Sequence, residues 1–332
     1  MDGLYLLWWT QEKGMSPALV AATMAAGDLA LMALEVPTGW FADRFGSRRS
    51  LILGSVLQVA GMICCWLADG VPGLIGACLL VALADAFRSG ADQSLLYRTC
   101  IALGREAEFQ RIDARVRAIQ VVVLALLTVG GGAIVTTWGF AAGWIAETLL
   151  CAAGGAIAFA MIEPLSGDDE PDAHASSPRA KVPWRVALLI VPLAFLDAAG
   201  STGSFLLQTT GDRSPAAVTV LVAVITLANA AGSALATRLP AAGVRTQLAI
   251  AALGSALVVV ALMIPGALGP ATIALSFGTG VLHPLRAAAI QRLASDGVRA
   301  RAASAASACD MALSTMFLLL AGSVLARRRR AA

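Results

Sequence analysis

Apolar runs of about twenty residues or more recur from one end of this chain to the other, and they restrict its fold more than any other feature. They fall at 17–38, 50–68, 71–98, 114–137, 140–163, 184–209, 215–237, 246–264, 268–293 and 302–326, with a shorter apolar segment at 3–10. The hydrocarbon core of a bilayer is about 30 Å thick, and a helix crosses it with about 20 residues at ~1.5 Å each. In lipid every backbone N–H and C=O must be paired inside the protein, so runs of this length are read as helices. The segment 3–10 covers only about 12 Å on the same rise. The 332 residues are 58% hydrophobic and 14% charged, with a mean hydropathy of +0.78. Soluble domains carry about 25% charged residues, so a soluble globular fold is excluded. The expected fold is an all-α membrane protein with ten full transmembrane helices and a partial first one.

Between the first two full spans lies Gly39-Trp40-Phe41-Ala42-Asp43-Arg44-Phe45-Gly46-Ser47-Arg48-Arg49. Glycine permits a sharp turn and a close approach of helices, so the segment predicts a tight charged loop joining two spans on one membrane face. The stretch Glu35-Val36-Pro37-Thr38-Gly39 through Asp43-Arg44-Phe45-Gly46 resembles the signature loop between helices 2 and 3 of the major facilitator superfamily (MFS). A second stretch, Arg88-Ser89-Gly90-Ala91-Asp92 to Tyr97, is similar to the end of the fourth helix in a bacterial subgroup of drug-type or uncharacterised efflux members. Two positions depart from the family pattern. Ser47 stands where a basic residue is usual, and Arg98 follows Tyr97 where the subgroup tends to have an acid. Their charge changes offset one another, which makes a coupling between the two positions worth testing. The family's antiporters also carry a Gly-Pro element in the fifth helix, and Val129-Gly130-Gly131-Gly132-Ala133 lacks the proline.

The resemblance implies two parallel six-helix repeats. The expected division is 1–163 for the N-terminal half, 164–182 for a polar Pro- and Ser-containing linker, and 183–332 for the C-terminal half. A fainter version of the turn, Gly232 to Arg238 and then Gly243-Val244-Arg245, occupies the corresponding place in the second half. Twelve helices in the family imply that this chain is short at both ends, with the inner part of helix 1 and helix 12 absent. Basic residues concentrate in alternate loops, at Arg44, Arg48 and Arg49, then Arg98 to Arg117, then Arg179 to Arg185. That bias puts the Gly39–Arg49 turn and the 164–182 linker on the cytoplasmic side of the plasma membrane. Arg327 to Arg330, after the last span, run against it.

Ionisable side chains inside spans are expensive, at about 2.5–3.5 kcal/mol on insertion scales, so each one raises a functional question. Asp28 and Glu35 lie seven residues apart, on one face of the second helix. Asp28 has no partner on its own helix, which makes it a candidate proton carrier; an acid held by a neighbouring helix would look the same in sequence. Asp85, Arg88 and Asp92 are spaced by three and four, so an unbroken helix would let Arg88 reach both acids. Such a triad can be structural or a relay. Asp197, His283 and Asp310 are the candidates in the second half, with Pro284 and Arg286 beside the histidine. A packed, satisfied histidine and a proton shuttle remain alternatives for His283. The resemblance further implies that helices 1, 4, 7 and 10 line a central cavity, which favours Asp85, Arg88, Asp197, His283, Tyr5 and Trp9 as pore-facing.

The six cysteines show no metal-ligand spacing and read as small apolar fillers, and two histidines are too few for a histidine-rich metal centre. No nucleophile–base pair or phosphate loop stands out, so no enzyme activity, cofactor or nucleic-acid partner is expected. The expected function is secondary active transport of a small organic solute, as proton-coupled efflux by alternating access. Gly39, Asp43, Arg44, Gly46, Arg48 and Asp92 would form a conformational latch, with Asp43 capping a helix N-terminus and Arg44 or Arg48 paired with Asp92. The alternative is a shortened, non-transporting relative acting as a membrane sensor, scaffold or partner subunit.

Overall fold

The computed structural model describes residues 4–105, 108–164, 184–209, 214–236, 266–293, 306 and 308–323, with scattered positions between 249 and 264. All regular elements among them are helices. The chain divides into two compact units, Met1–Asp168 and Asp169–Ala332.

In the first unit, α1 (Leu4–Leu7) passes into a π-helical turn at Trp8–Glu12. Helix α2 (Pro17–Phe45) starts where the Ser16 hydroxyl accepts from Leu19 N at 3.2 Å, with proline at the first helical position. It does not stop at residue 38 as the sequence predicts. The helix continues through the signature segment and ends at Gly46, so the expected eleven-residue loop is a one-residue turn into α3 (Ser47–Leu67). The reason is local: Trp40 to Phe45 contains neither proline nor glycine, and nothing there breaks the hydrogen-bond ladder.

Helix α4 (Gly70–Arg88) and α5 (Ala91–Ala102) replace the single span expected at 71–98. Gly90 adopts φ 74°, ψ −18°, a left-handed conformation that ends one helix and starts another. Asp92 therefore opens a new helix, and the common face expected for Asp85, Arg88 and Asp92 does not form. Helix α6 (Phe109–Ala160) is interrupted at Gly139, with φ 83° and ψ 173°, which separates the two spans predicted at 114–137 and 140–163.

The second unit contains α7 (Trp184–Thr209), α8 (Pro215–Ala236), α9 (Leu268–Leu293) and α10 (Ala308–Ser323). Six of the described helices are long and apolar enough to cross a membrane. Large side chains such as Ile119, Val122 and Leu126 on α6 are exposed, as a lipid-facing surface requires. Most of the predicted span 246–264, the linker, the Gly243-Val244-Arg245 echo and Arg327 to Arg330 lie outside the described residues.

Helices pack through small residues and hydroxyls in both units. Ser50 on α3 donates to the Phe87 carbonyl of α4 at 2.6 Å, and the Thr38 hydroxyl of α2 lies 3.0 Å from the Ala86 carbonyl. In the second unit Asn229 on α8 donates to the Ser276 carbonyl of α9 at 3.1 Å, and Ser233 donates to the Gly280 carbonyl at 3.1 Å. Gly232 and Gly280 make that approach possible, since a Cβ on either would strike backbone atoms of the facing helix. Leu193, Leu196 and Ala199 of α7 pack on Leu275 and Leu282 of α9, and Phe317 of α10 meets Phe195 edge-on at 5.1 Å.

Candidate functional site

The signature turn is organised by a residue outside it. Gly46 has φ 97° and ψ 147°, accessible only to glycine, and a Cβ there would also collide with the Glu163 carboxylate. The first N–H groups of a helix have no partner within it and carry its positive dipole end. At the start of α3 these groups meet Glu163: Ser47 N donates to Oε1 at 2.7 Å and Arg48 N to Oε2 at 3.3 Å. Arg98 of α5 brings Nη1 to 3.7 Å from the same Oε1. Ser47 is fully buried, and its hydroxyl lies 3.1 Å from that of Ser94. The two departures noted in the sequence, Ser47 and Arg98, thus meet on one carboxylate.

Other parts of the expected latch take different places. Arg48 donates from Nη2 to the Phe159 carbonyl at 2.6 Å. Arg44 stacks over the rings of Trp40 at 5.5 Å and Phe45 at 5.9 Å. Asp92 is exposed near the start of α5, and the side chain of Asp43 lies outside the described residues. A methyl group on Gly39 would meet no atom within 4 Å, so close packing does not require glycine there. Sequence reasoning passed over Glu163. The available signal was an acid at the end of a span, followed by Pro164, on the face that carries the basic turn.

The first unit also holds a half-open cavity of about 360 Å³. Asp28 and Asp85 line it together with Tyr5, Trp9, Trp144 and Glu147. Asp85 also has Arg88 Nη1 at 3.7 Å, while Arg88 itself and Glu35 lie outside the lining. Asp28 joins this group from α2, a helix the family resemblance leaves out of the cavity wall. Glu147 sits inside a span just as Asp28 does, so the sequence criterion applies to it equally, although it is not among the sequence candidates.

In the second unit three helices bring four charged or titratable side chains into a row. Arg286 on α9 holds Asp310 of α10 with two bonds, Nη1 to Oδ1 at 3.0 Å and Nη2 to Oδ2 at 2.9 Å. The same Nη2 lies 3.3 Å from His283 Nδ1, and His283 Nε2 lies 3.5 Å from Asp197 Oδ1 of α7. A guanidinium nitrogen only donates. The contact with Arg286 is a hydrogen bond when His283 Nδ1 is unprotonated, and the ring proton then sits on Nε2, facing Asp197. The Arg286 and Asp310 side chains are 10% and 19% exposed, against 40% for His283 and 35% for Asp197. The row runs from an open end to a buried one. Asp197, His283 and Asp310 were separate sequence candidates, and Arg286 is the residue that joins them.

The sequence and the fold have counterparts among known proteins. The chain matches the sequence profile of the Major Facilitator Superfamily over residues 3–318. Its fold resembles a bacterial homolog of the human lysosomal transporter Spinster, solved in an inward-facing, unoccupied conformation. The TM-score is 0.61 at 16% identity, over 96% of this chain and 77% of that one. The occupied form of the same homolog gives 0.59 at 15% identity, over 96% and 76%. The chain belongs to the Major Facilitator Superfamily, and is a multi-pass membrane protein with a secondary-transporter fold.

Proposed function

We propose that this chain exports a small organic solute across the plasma membrane in exchange for protons, with the Gly39–Arg49 turn and the 164–182 linker on the cytoplasmic side. The observation that carries the proton coupling is the row Asp197, His283, Arg286 and Asp310. Buried ion pairs are seldom retained for stability alone, because desolvation offsets much of their attraction. In membrane spans such groups mark ion and proton paths. A proton arriving at His283 Nδ1 removes the acceptor that Arg286 uses. The imidazolium then holds Asp197 as a charged pair, and Arg286 keeps only Asp310. Three helices are thereby offered two arrangements that differ by one proton, which is what coupling to an alternating cycle needs.

The basic turn supports the same reading from the other unit. Glu163, Ser47, Arg48 and Arg98 join the start of α3 to the ends of α5 and α6. A contact set of this kind can be made in one state of the cycle and released in another.

Reconstituted vesicles with an imposed pH gradient test the proposal. Solute should accumulate against its gradient only while the proton gradient persists, and His283→Gln should abolish accumulation while leaving downhill exchange. Accumulation that survives collapse of the proton gradient would overturn the coupling. No flux of any solute by correctly inserted protein would favour a sensor or scaffold instead.

A further inference from the structure

Sulfur gathers in one place in the first unit. Of the 18 residues that line its cavity, Met24, Met62, Cys65 and Cys78 carry sulfur, against 6 cysteines and 9 methionines in the whole chain of 332. They come from three helices. Met62 and Cys65 are three residues apart on α3, so they share a face. Helices α3 and α4 are joined by two residues and run antiparallel, and a Cβ on Gly61 would strike Val81 of α4. One turn closer to that connection, the same register sets Cys65 against Ala77 and Cys78. Helix α2 lies on the other side of Cys78. A Cβ on Gly27 would stand 3.8 Å from the Cys78 Cβ, and Met24 precedes Gly27 by three residues on the same face.

A small apolar filler, the role the sequence suggests for these cysteines, packs against neighbours on every side. Cys65 and Cys78 instead front a space of about 360 Å³. Cys64, adjacent in sequence, is exposed and does not line it. Thiolate and thioether are soft, polarisable donors, and they select soft ions such as Cu(I) over hard ones. Ligand number narrows the ion further. Among the described residues no three histidine, cysteine or acidic side chains could hold a metal ion together, so no four-coordinate zinc cage forms there. A closed-shell monovalent ion needs fewer ligands, because a pair of sulfur atoms satisfies it and thioethers add weakly. The two methionines also favour an ion over a disulfide, which would use the cysteines alone.

We propose that the cavity of the first unit binds a soft monovalent metal ion of the Cu(I) class, held by Cys65 and Cys78 with Met24 and Met62 completing its shell. One S–H bond gives way to an S–metal bond and its proton leaves to solvent, so the bound thiolate–ion pair is neutral. Net charge inside a span is costly, which favours that neutral pair. The second thiol and the thioethers donate lone pairs. The ion ties α2, α3 and α4 together, and the site stands independently of the transport reading above.

Silver(I) is the test probe, since it shares the charge and sulfur preference of Cu(I) and keeps its oxidation state in air. The purified full chain, reduced and in chloride-free detergent buffer, is treated with methyl methanethiosulfonate, and each cysteine is followed by peptide mass spectrometry. One equivalent of Ag(I) should slow modification of Cys65 and Cys78 at least tenfold and leave Cys64 and Cys151 unchanged. One equivalent of Zn(II) should protect neither. Cys65→Ser should remove the protection of Cys78, and Cys78→Ser that of Cys65. Met62→Leu, close in volume, should raise the Ag(I) needed severalfold, whereas Met316→Leu on α10 should not. Protection that extends equally to Cys64, equal protection by Zn(II), or protection of Cys78 that survives Cys65→Ser would each overturn the site. So would a Cys65 or Cys78 that fails to react in the absence of silver, because such a thiol does not face the cavity. No gradient or flux enters these measurements, so their failure leaves the transport reading untouched.

Discussion

Glu163 illustrates how magnitudes rank the contacts of a single residue. Its carboxylate takes two N–H groups at the start of α3, where side-chain capping and the helix dipole contribute about 0.5–2 kcal/mol. Its ion pair with Arg98 is longer, at 3.7 Å, with the side chains 23% and 33% exposed. Pairs as open as this contribute about 0–1 kcal/mol. Capping therefore outweighs the ion pair. Glu163→Ala should lower stability by about 1–2 kcal/mol and Arg98→Ala by clearly less, read as thermal unfolding in detergent. Equal losses would show that the ion pair dominates. Ser47 follows from the same geometry. Buried against Ser94 and donating its N–H to Glu163, it occupies a position where the family usually has a basic residue, and Arg98 supplies a cation to the same carboxylate from another helix.

At the scale of elements, the glycines separate into those that hold helices together and those that do not. A Cβ on Gly280 would strike the backbone of Asn229, whereas one on Gly130 or Gly154 would meet nothing within 4 Å. The sequence invites one explanation for them all, close packing, and the structure restricts it to some. Gly280→Ala must push α8 and α9 apart or bend one of them, and should destabilise by about 1–3 kcal/mol, the usual range for overpacking. Gly130→Ala lies in an open helical position and should be neutral or stabilise by up to about 1 kcal/mol. Thermal unfolding of the two variants side by side checks this; equal losses would contradict the packing described. The break at Gly90 belongs to the same scale. The spacing of Asp85, Arg88 and Asp92 suits an unbroken helix, but one left-handed residue between Arg88 and Asp92 changes which face each presents.

At the scale of the whole molecule, the chain is two compact units joined within 165–183. Each has its own close-packed helix pairs, so each should fold without covalent help from the other. Residues 1–168 expressed alone should insert in the membrane and resist protease at the Gly39–Arg49 turn as the full chain does. Rapid cleavage at that turn in the isolated half, with protection in the full chain, would show that the second unit is needed. Membrane residence, the all-helical class and the family were legible in the sequence, because lipid imposes length and hydropathy residue by residue. Partnership was not. Glu163 meets Ser47 from 116 residues away, Arg286 joins Asp310 across 24, and Trp144 reaches the cavity of Asp28 from the far end of its unit. Such meetings depend on how helices cross and where single glycines break them, and neither follows from the local order of side chains.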